Sequence, residues 1–444
     1  MTVHFAKWLP IAALCALFAC GKGKTADAPA PAVAVDPTKA ADEKKPDKPA
    51  ALPVAASAVQ AEPEVPAGNV TLWHSYRDDE AKALNSLIEH WNGIHPKTQI
   101  IALAVPFDAF IDKVQVAVPN GNGPDILIMA HDKIGTWARE GILQPLGEFA
   151  NPVRLQRFLP QTVKPLVFDR AIYGLPMAFK SLVLFYNKKM VKEPPHTLAQ
   201  LIEIAKGFTN AEGGSFGLAY DASDLYFHAA FLHGAGGAVW DEVNKQLTIN
   251  TPEAVKALEI ARDLYATHKI LPKGMSGYVI TAMFNDGKTP FVFQGPWFIS
   301  EIDKSVEWGV APMPLLADGK PLKPYLGSEA VLLSKKTMAK DAALRVIDYL
   351  TSDEAALTRL EMGHQMVANT KIYENPRWLQ NPVVKVFRAQ ADNAVPMSNA
   401  VEPGVAWVPY NNALRKVIFG DTPAADALAE ADKQIREAVA KLGK

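Results

Sequence analysis

Val70-Thr71-Leu72-Trp73 reads as a short strand, and the segment that follows it decides the fold. Ala81, Leu84, Leu87, Ile88 and Trp91 recur at helical spacing and predict an amphipathic helix, which Gly93 and Pro96 end. Gln99 to Val105 reads as the next strand and Phe107 to Val118 as the next helix; beyond a Gly-rich turn, Asp125 to Met129 is a short buried strand. Strands alternating with helices predict an α/β lobe on a largely parallel sheet. Open sheets of this kind bind ligands beyond the C-terminal ends of their strands. Trp73-His74-Ser75-Tyr76-Arg77 and Ala130-His131-Asp132-Lys133 both stand at such ends, so they are candidate binding segments.

Working outward, the first eight residues carry Lys7 and no acid, and Trp8 to Phe18 is apolar but shorter than the roughly 20 residues of a spanning helix. Leu17-Phe18-Ala19-Cys20 closes that run and resembles a bacterial lipoprotein signal. The resemblance implies removal of residues 1–19 and lipidation of Cys20, anchoring the chain to a membrane on the periplasmic or extracellular face of the cell envelope. An ordinary cleaved signal peptide with an incidental cysteine is the alternative. Cys15 and Cys20 are the chain's only cysteines, so everything downstream is free of disulfides and thiol catalysis. Residues 20–68 are rich in Ala, Pro, Lys, Asp and Glu and lack aromatic residues, the composition of a disordered tether with a reach of roughly 40 Å. From Asn69 onward the composition is globular and long enough for two lobes. A net charge of −1 gives no basic field for nucleic acid.

Several further segments follow in order: Gly123-Pro124-Asp125-Ile126, Ala130-His131-Asp132-Lys133, Tyr173-Gly174-Leu175-Pro176, Leu184-Phe185-Tyr186-Asn187-Lys188 and Gly295-Pro296-Trp297. This ordered set resembles the sugar-binding subunits of bacterial ABC importers, in particular the maltose-binding protein family. The resemblance implies a periplasmic-binding-protein type II fold: two α/β lobes, each a mainly parallel sheet flanked by helices, joined by hinge strands that close on a ligand. It places residues 69–178 and 331–371 in the N-terminal lobe and 179–330 and 372–444 in the C-terminal lobe. It also implies an oligosaccharide of the maltodextrin kind as ligand, an ABC permease as partner, a monomer, and no enzyme activity, cofactor or metal.

Asp132 and Lys133 match the family's Ala-His-Asp-Arg segment, whose charged pair meets sugar hydroxyls. Tyr226 and Trp297 match aromatic positions that stack on glucose rings, Asp224 stands at an acidic position, and Trp407 and Tyr410 fall near another stacking aromatic. Ser75, Tyr76 and Arg77 replace an Asp-Lys pair. Lys180 stands where maltose binders have a glutamate, and Met129 where they have a tryptophan. A pyranose offers apolar C–H faces and a rim of hydroxyls, so aromatic plates and bifunctional polar side chains are the groups it needs. For each aromatic the competing role is core packing, to which Trp73 and Trp91 are assigned; for Asp132 it is a helix cap. A buried Lys180 needs a partner, and Glu329 is predicted to contact it across the hinge.

Catalytic motifs do not hold together. Gly213-Gly214-Ser215-Phe216-Gly217 has the hydrolase-elbow pattern but follows a polar loop and precedes a strand. Ala282 to Thr289 ends like a phosphate loop, yet runs helix, turn, strand. His90/His95 and His228/His233 lack zinc-motif spacing. An anionic sugar or sugar phosphate is the alternative ligand, motivated by Lys180, Arg77 and Lys133 together. Polyamine or iron binding would need an acid cluster or metal ligands. A secreted carbohydrate-active enzyme would need a facing carboxylate pair, which cannot be placed.

Overall fold

The structure is a computed structural model that describes residues 66–442. The expected signal segment, Cys20 and nearly all of the tether lie outside those residues. Two main sheets are built in chain order from β1 (Val70–His74), β2 (Ile100–Ala104), β3 (Ile126–Ala130), β4 (Gly174–Lys180), β5 (Val183–Asn187), β6 (Leu218–Ala219), β7 (Phe291–Gln294), β8 (Trp308–Ala311), β9 (Tyr325–Leu333) and β10 (Val395–Pro396). The six-stranded sheet has the order β10-β9-β3-β1-β2, with β4 also pairing to β9, and the four-stranded sheet has the order β8-β5-β7-β6.

Side chains alternate across each strand, and the inner strands of both sheets are covered on both faces, whereas the edge strand β2 is exposed from Ile101 to Ala104. In the first sheet Ile126, Ile128, Val331 and Leu333 enter one core, whereas Leu127, Met129, Ala330 and Leu332 enter the opposite one. In the second, Leu184 and Phe293 face one core and Phe185 and Val292 the other. Trp73 and Trp91 are buried, as the sequence reading assigns them. The helix expected after β1 spans Asp78–Ile94 and buries Ala83, Leu84, Leu87, Ile88 and Trp91.

The two-lobed α/β architecture is as read, but strand direction needs correcting. Parallel pairing joins β1 to β2, β1 to β3 and β9 to β10, while β9 is antiparallel to β3 and β4. In the second sheet β6 and β7 are parallel, but β5 is antiparallel to both β7 and β8, so that sheet is not mainly parallel. The reason is the route of entry. β5 follows β4 across Ser181 and Leu182 alone, as a continued crossing strand, whereas parallel return requires a crossover connection.

Crossing strands pack into both lobes. β9 places Tyr325 and Leu326 among second-lobe core residues and Val331 and Leu333 in a first-lobe core. Ser181 Oγ donates to the Tyr325 carbonyl at 2.9 Å. Buried His131 accepts the Ser328 N–H on Nδ1 at 2.9 Å and donates from Nε2 to the Met397 carbonyl at 2.7 Å, stitching three chain segments together.

Burial also sets an acid limit on the fold. It lowers the pKa of His228 to about 3, and both ring nitrogens of His228 are buried without a partner among the described residues. His233 is held to about 4 by burial, against the pull of its bond to the Lys323 carbonyl, and His74 to about 4 by burial, against Glu329. The unfolded chain therefore takes up these protons near pH 6.5, well before the folded one, and stability present above that pH is lost as pH falls. Urea denaturation between pH 6.5 and 4.5 should show this slope. In His228→Phe it should flatten by about 1.4 kcal/mol per pH unit; an unchanged slope would place the proton uptake elsewhere.

Candidate functional site

At the hinge, Lys180 ends β4 with its ammonium 3.0 Å from Glu329 Oε1 and 3.3 Å from Glu80 Oε1. The predicted Lys180–Glu329 contact is present, and Glu80, in the first turn of the Asp78–Ile94 helix, is a second partner. Tyr76 donates its hydroxyl to Glu329 Oε2 at 2.5 Å, and Gln365 donates to Glu80 Oε1 at 3.1 Å. Burial pulls the Lys180 pKa down, but the carboxylates of Glu329 and Glu80 more than offset it, so the net shift is upward and the ammonium stays charged. Burial raises Glu80, against the pull of Lys180. Beneath the cluster, fully buried Arg359 donates to the carbonyls of Leu350 and Met177, and desolvation lowers its pKa to about 10.

Facing this floor, the second lobe carries a row of rings. Trp297, Tyr226, Tyr325 and Trp407 follow one another with centroid separations of 6.2, 6.3 and 6.2 Å. Trp297 belongs to the 3₁₀ turn Pro296–Glu301 beyond the end of β7, and its indole N–H donates to Gln294 Oε1 at 2.9 Å. Tyr226 opens the helix Leu225–Gly234, and Trp407 opens the helix Trp407–Ile418. Burial raises the pKa of the Tyr226 hydroxyl; Lys180 opposes that shift, while Asp224 and Asp132 add to it, so the ring lies within electrostatic reach of Lys180 at the hinge and of Asp132 on the first lobe.

Asp132 and Lys133 pair at 2.8 Å at the C-terminal end of β3. Asp132 lines a cleft of about 600 Å³, open mouth included, together with Tyr325, Trp240, Glu242, Ser398 and Trp407. Among the described residues no cluster of His, Cys, Asp or Glu is placed to hold a metal ion.

Residues 75–357 match the family model of the bacterial extracellular solute-binding proteins. The chain belongs to that family. Among curated relatives of this solute-binding protein, the maltotriose-binding protein of Pyrococcus abyssi is 27% identical over 363 residues, covering 80% of this chain and 79% of that one. The galactooligosaccharide-binding protein of Bacillus subtilis is 26% identical over 339 residues, with 73% of this chain and 79% of the relative covered. A solved structure of the Thermus thermophilus maltotriose-binding protein with maltotriose superposes with a TM-score of 0.77 at 25% identity, covering 83% of this chain and 100% of that one.

In this solute-binding protein Asp132 and Trp407 line the cleft, Lys133 pairs with Asp132, Tyr226 and Trp297 belong to the ring row, and Lys180 lies in the hinge cluster. The other sequence candidates have different surroundings. Tyr76 is buried in the Lys180 cluster, and Tyr410 is wholly buried in the second-lobe core, 5.9 Å from the His228 ring. Asp224 caps the Leu225–Gly234 helix, accepting the Tyr226 N–H at 2.7 Å, and burial raises its pKa. Ser75 is half-buried beyond β1, and Arg77 pairs with Glu301. Glu80 in the Lys180 cluster, and Tyr325, Trp240 and Glu242 along the cleft, are residues that the sequence reading missed. Only Glu80 left a signal, as an acid in the first turn of a helix beginning at a strand end.

Proposed function

We propose that this solute-binding protein captures a neutral oligosaccharide of the maltodextrin kind by closing its lobes, and delivers it to an ABC permease without chemical change. The row of four rings carries the reading, because successive pyranoses offer apolar faces for which such a row is the matching surface. Asp132, Lys133 and Lys180 would meet hydroxyls, while Tyr226, Trp297 and Trp407 would stack. The relatives' recognition of maltotriose and galactooligosaccharide supports the ligand class.

The pairing of cations speaks against the anionic alternative. Lys180 lies against Glu329 and Glu80, Arg77 against Glu301 and Lys133 against Asp132, so each of the three cations that motivated it already has a carboxylate partner. The expected lobe limits, 69–178 with 331–371 and 179–330 with 372–444, belong to this proposal, as do the Cys20 anchor at the cell envelope, the permease partner and the monomeric state.

Calorimetric titration of the purified protein with maltotriose, galactooligosaccharide and glucose phosphate tests it. Saturable binding of a neutral oligosaccharide is expected; binding of the phosphate alone would overturn it. A side chain at Gly295 would overlap the Trp297 ring. Gly295→Ala is therefore expected to displace that ring and weaken oligosaccharide binding by up to about tenfold, with little change in urea midpoint; unaltered affinity would remove Trp297 from the site.

A further inference from the structure

β1, β2 and β3 begin, and β9 finishes, at the end of the first sheet that lies away from the cleft: Val70 is level with Ile100, and Ile126 with both Leu72 and Leu333. Neighbouring strands lie about 4.8 Å apart, so the loops at this end share one face. Lys97 stands before β2, Lys335 and Lys336 follow β9, and Lys340 opens the helix Lys340–Leu350. All four lysines are exposed, and none joins an ion pair among the described residues. Their loop is pinned from below: Thr337 donates its hydroxyl to Asp125 Oδ1 at 2.6 Å and accepts the Ala339 N–H at 3.1 Å. With Thr337 turned inward, Met338 between them points out and is 98% exposed. Ile94, 56% exposed, ends the Asp78–Ile94 helix beside β2, where Asn92 bonds both backbone groups of Ile100. The chain also enters the body here. Gly68 N–H donates to the Lys97 carbonyl at 3.0 Å, and the Thr98 hydroxyl to the Pro66 carbonyl at 2.7 Å.

We infer that this end of the first lobe is a docking face for an anionic phospholipid surface, with the lysines meeting headgroup phosphates and Met338 and Ile94 entering the headgroup layer. Apolar tips among cations are the pattern an anionic bilayer surface takes up, since the lysine stems lie along the apolar tips while the ammonium groups stay in water. The inference rests on the Cys20 anchor proposed above and goes beyond it in naming the face of the body that meets the bilayer. A net charge of −1 gives the chain no general attraction to such a surface, so the contact is oriented by this one cationic end. Each lysine near the surface is worth about fivefold in binding, and the four together roughly six-hundredfold. That is modest for a free protein, but a chain anchored through Cys20 meets the bilayer at an effective concentration in the millimolar range. The face belongs to the first sheet and the helices packed on it, so the lobes close without disturbing it.

Because the chain has no cysteine beyond Cys20, Met338→Cys can carry one polarity-sensitive fluorophore, and Val243→Cys, 87% exposed on the second lobe, serves as its control. The full chain, purified from membranes, is reconstituted into vesicles of phosphatidylcholine alone or with an equal part of phosphatidylglycerol, and intact mass reads the lipid on Cys20. If that lipid is missing, the chain with Cys20→Ser is mixed with an excess of the same vesicles. The reporter at 338 should shift to the blue in the anionic vesicles only, and return as salt is raised; the reporter at 243 should not move. Lys335→Gln with Lys336→Gln should lower the ratio of docked to free protein about 25-fold, with an unchanged urea midpoint. No shift at 338, an equal shift in phosphatidylcholine alone, equal shifts at both reporters, or a ratio unmoved in the double variant would overturn the face. Lipid on Cys20 without the shift would leave the anchor standing and remove the face. The shift without lipid would remove the anchor and leave the face, and absence of both would overturn both.

Discussion

Lys180→Met is expected to destabilise the protein by about 3 kcal/mol at neutral pH, because it strands two largely buried carboxylates whose shared counter-ion has been removed. Glu80 shows the mechanism most directly. Burial already raises its pKa, Lys180 is the main opposing influence, and Glu329 adds to the rise. Without Lys180 the Glu80 carboxyl should titrate higher still in the folded state than in the unfolded chain. A carboxyl raised on folding penalises the folded state above its pKa, and the penalty fades as pH falls through that value. The gap between variant and wild type in urea denaturation should therefore narrow from pH 7.5 toward pH 5. Lys180→Met with Glu80→Gln should recover part of the loss at neutral pH. An unchanged midpoint in the single variant, or a gap that widens in acid, would mean that the cluster does not hold its charges as described.

Trp407→Ala is expected to weaken oligosaccharide binding by about thirtyfold, the scale of a central aromatic anchor worth about 2 kcal/mol. Trp407 is half-buried, stands at the start of its helix and lies 6.2 Å from Tyr325, so it presents a ring to the cleft while Tyr410, on the same helix, is buried. Trp407→Phe should retain most of the affinity, and Tyr410→Phe should leave it near wild type. Calorimetry on the three variants separates stacking from packing. Wild-type affinity in Trp407→Ala, or a large loss in Tyr410→Phe, would reverse those roles.

Local chemistry made much of this legible in the sequence. Helical spacing from Ala81 to Trp91 and the strands around it yielded β1, its helix and β2 nearly to the residue, because periodicity is set within a few turns of chain. The Lys180–Glu329 contact was legible for a different reason: a cation on a crossing strand demands an acid, and β9 offers one. Glu80 satisfies the same demand but sits far off in sequence, where nothing local announces that its helix will lie beside β4. Arg77 and Glu301 escape for the same reason; their meeting depends on how the lobes stand, which no pattern along the chain encodes. Tyr410 and Trp407 are close neighbours in sequence with opposite surroundings. Their difference lies in helix rotation, so an uncertain register was enough to group them together.

The direct passage from β4 into β5 also has a mechanical consequence. With only Ser181 and Leu182 between the strands, and Ser181 bonded to the neighbouring crossing strand, the linkage has little slack and acts as a stiff fulcrum. A force applied near a fulcrum exerts little torque, whereas the same force at the rim acts on a long moment arm. Weak contacts at the rim, such as the single exposed ion pair of Arg77, thus acquire leverage over the resting angle of the lobes. A fluorescent sensor made from this protein would gain most from reporters mounted at that rim, where a small rotation becomes the largest displacement.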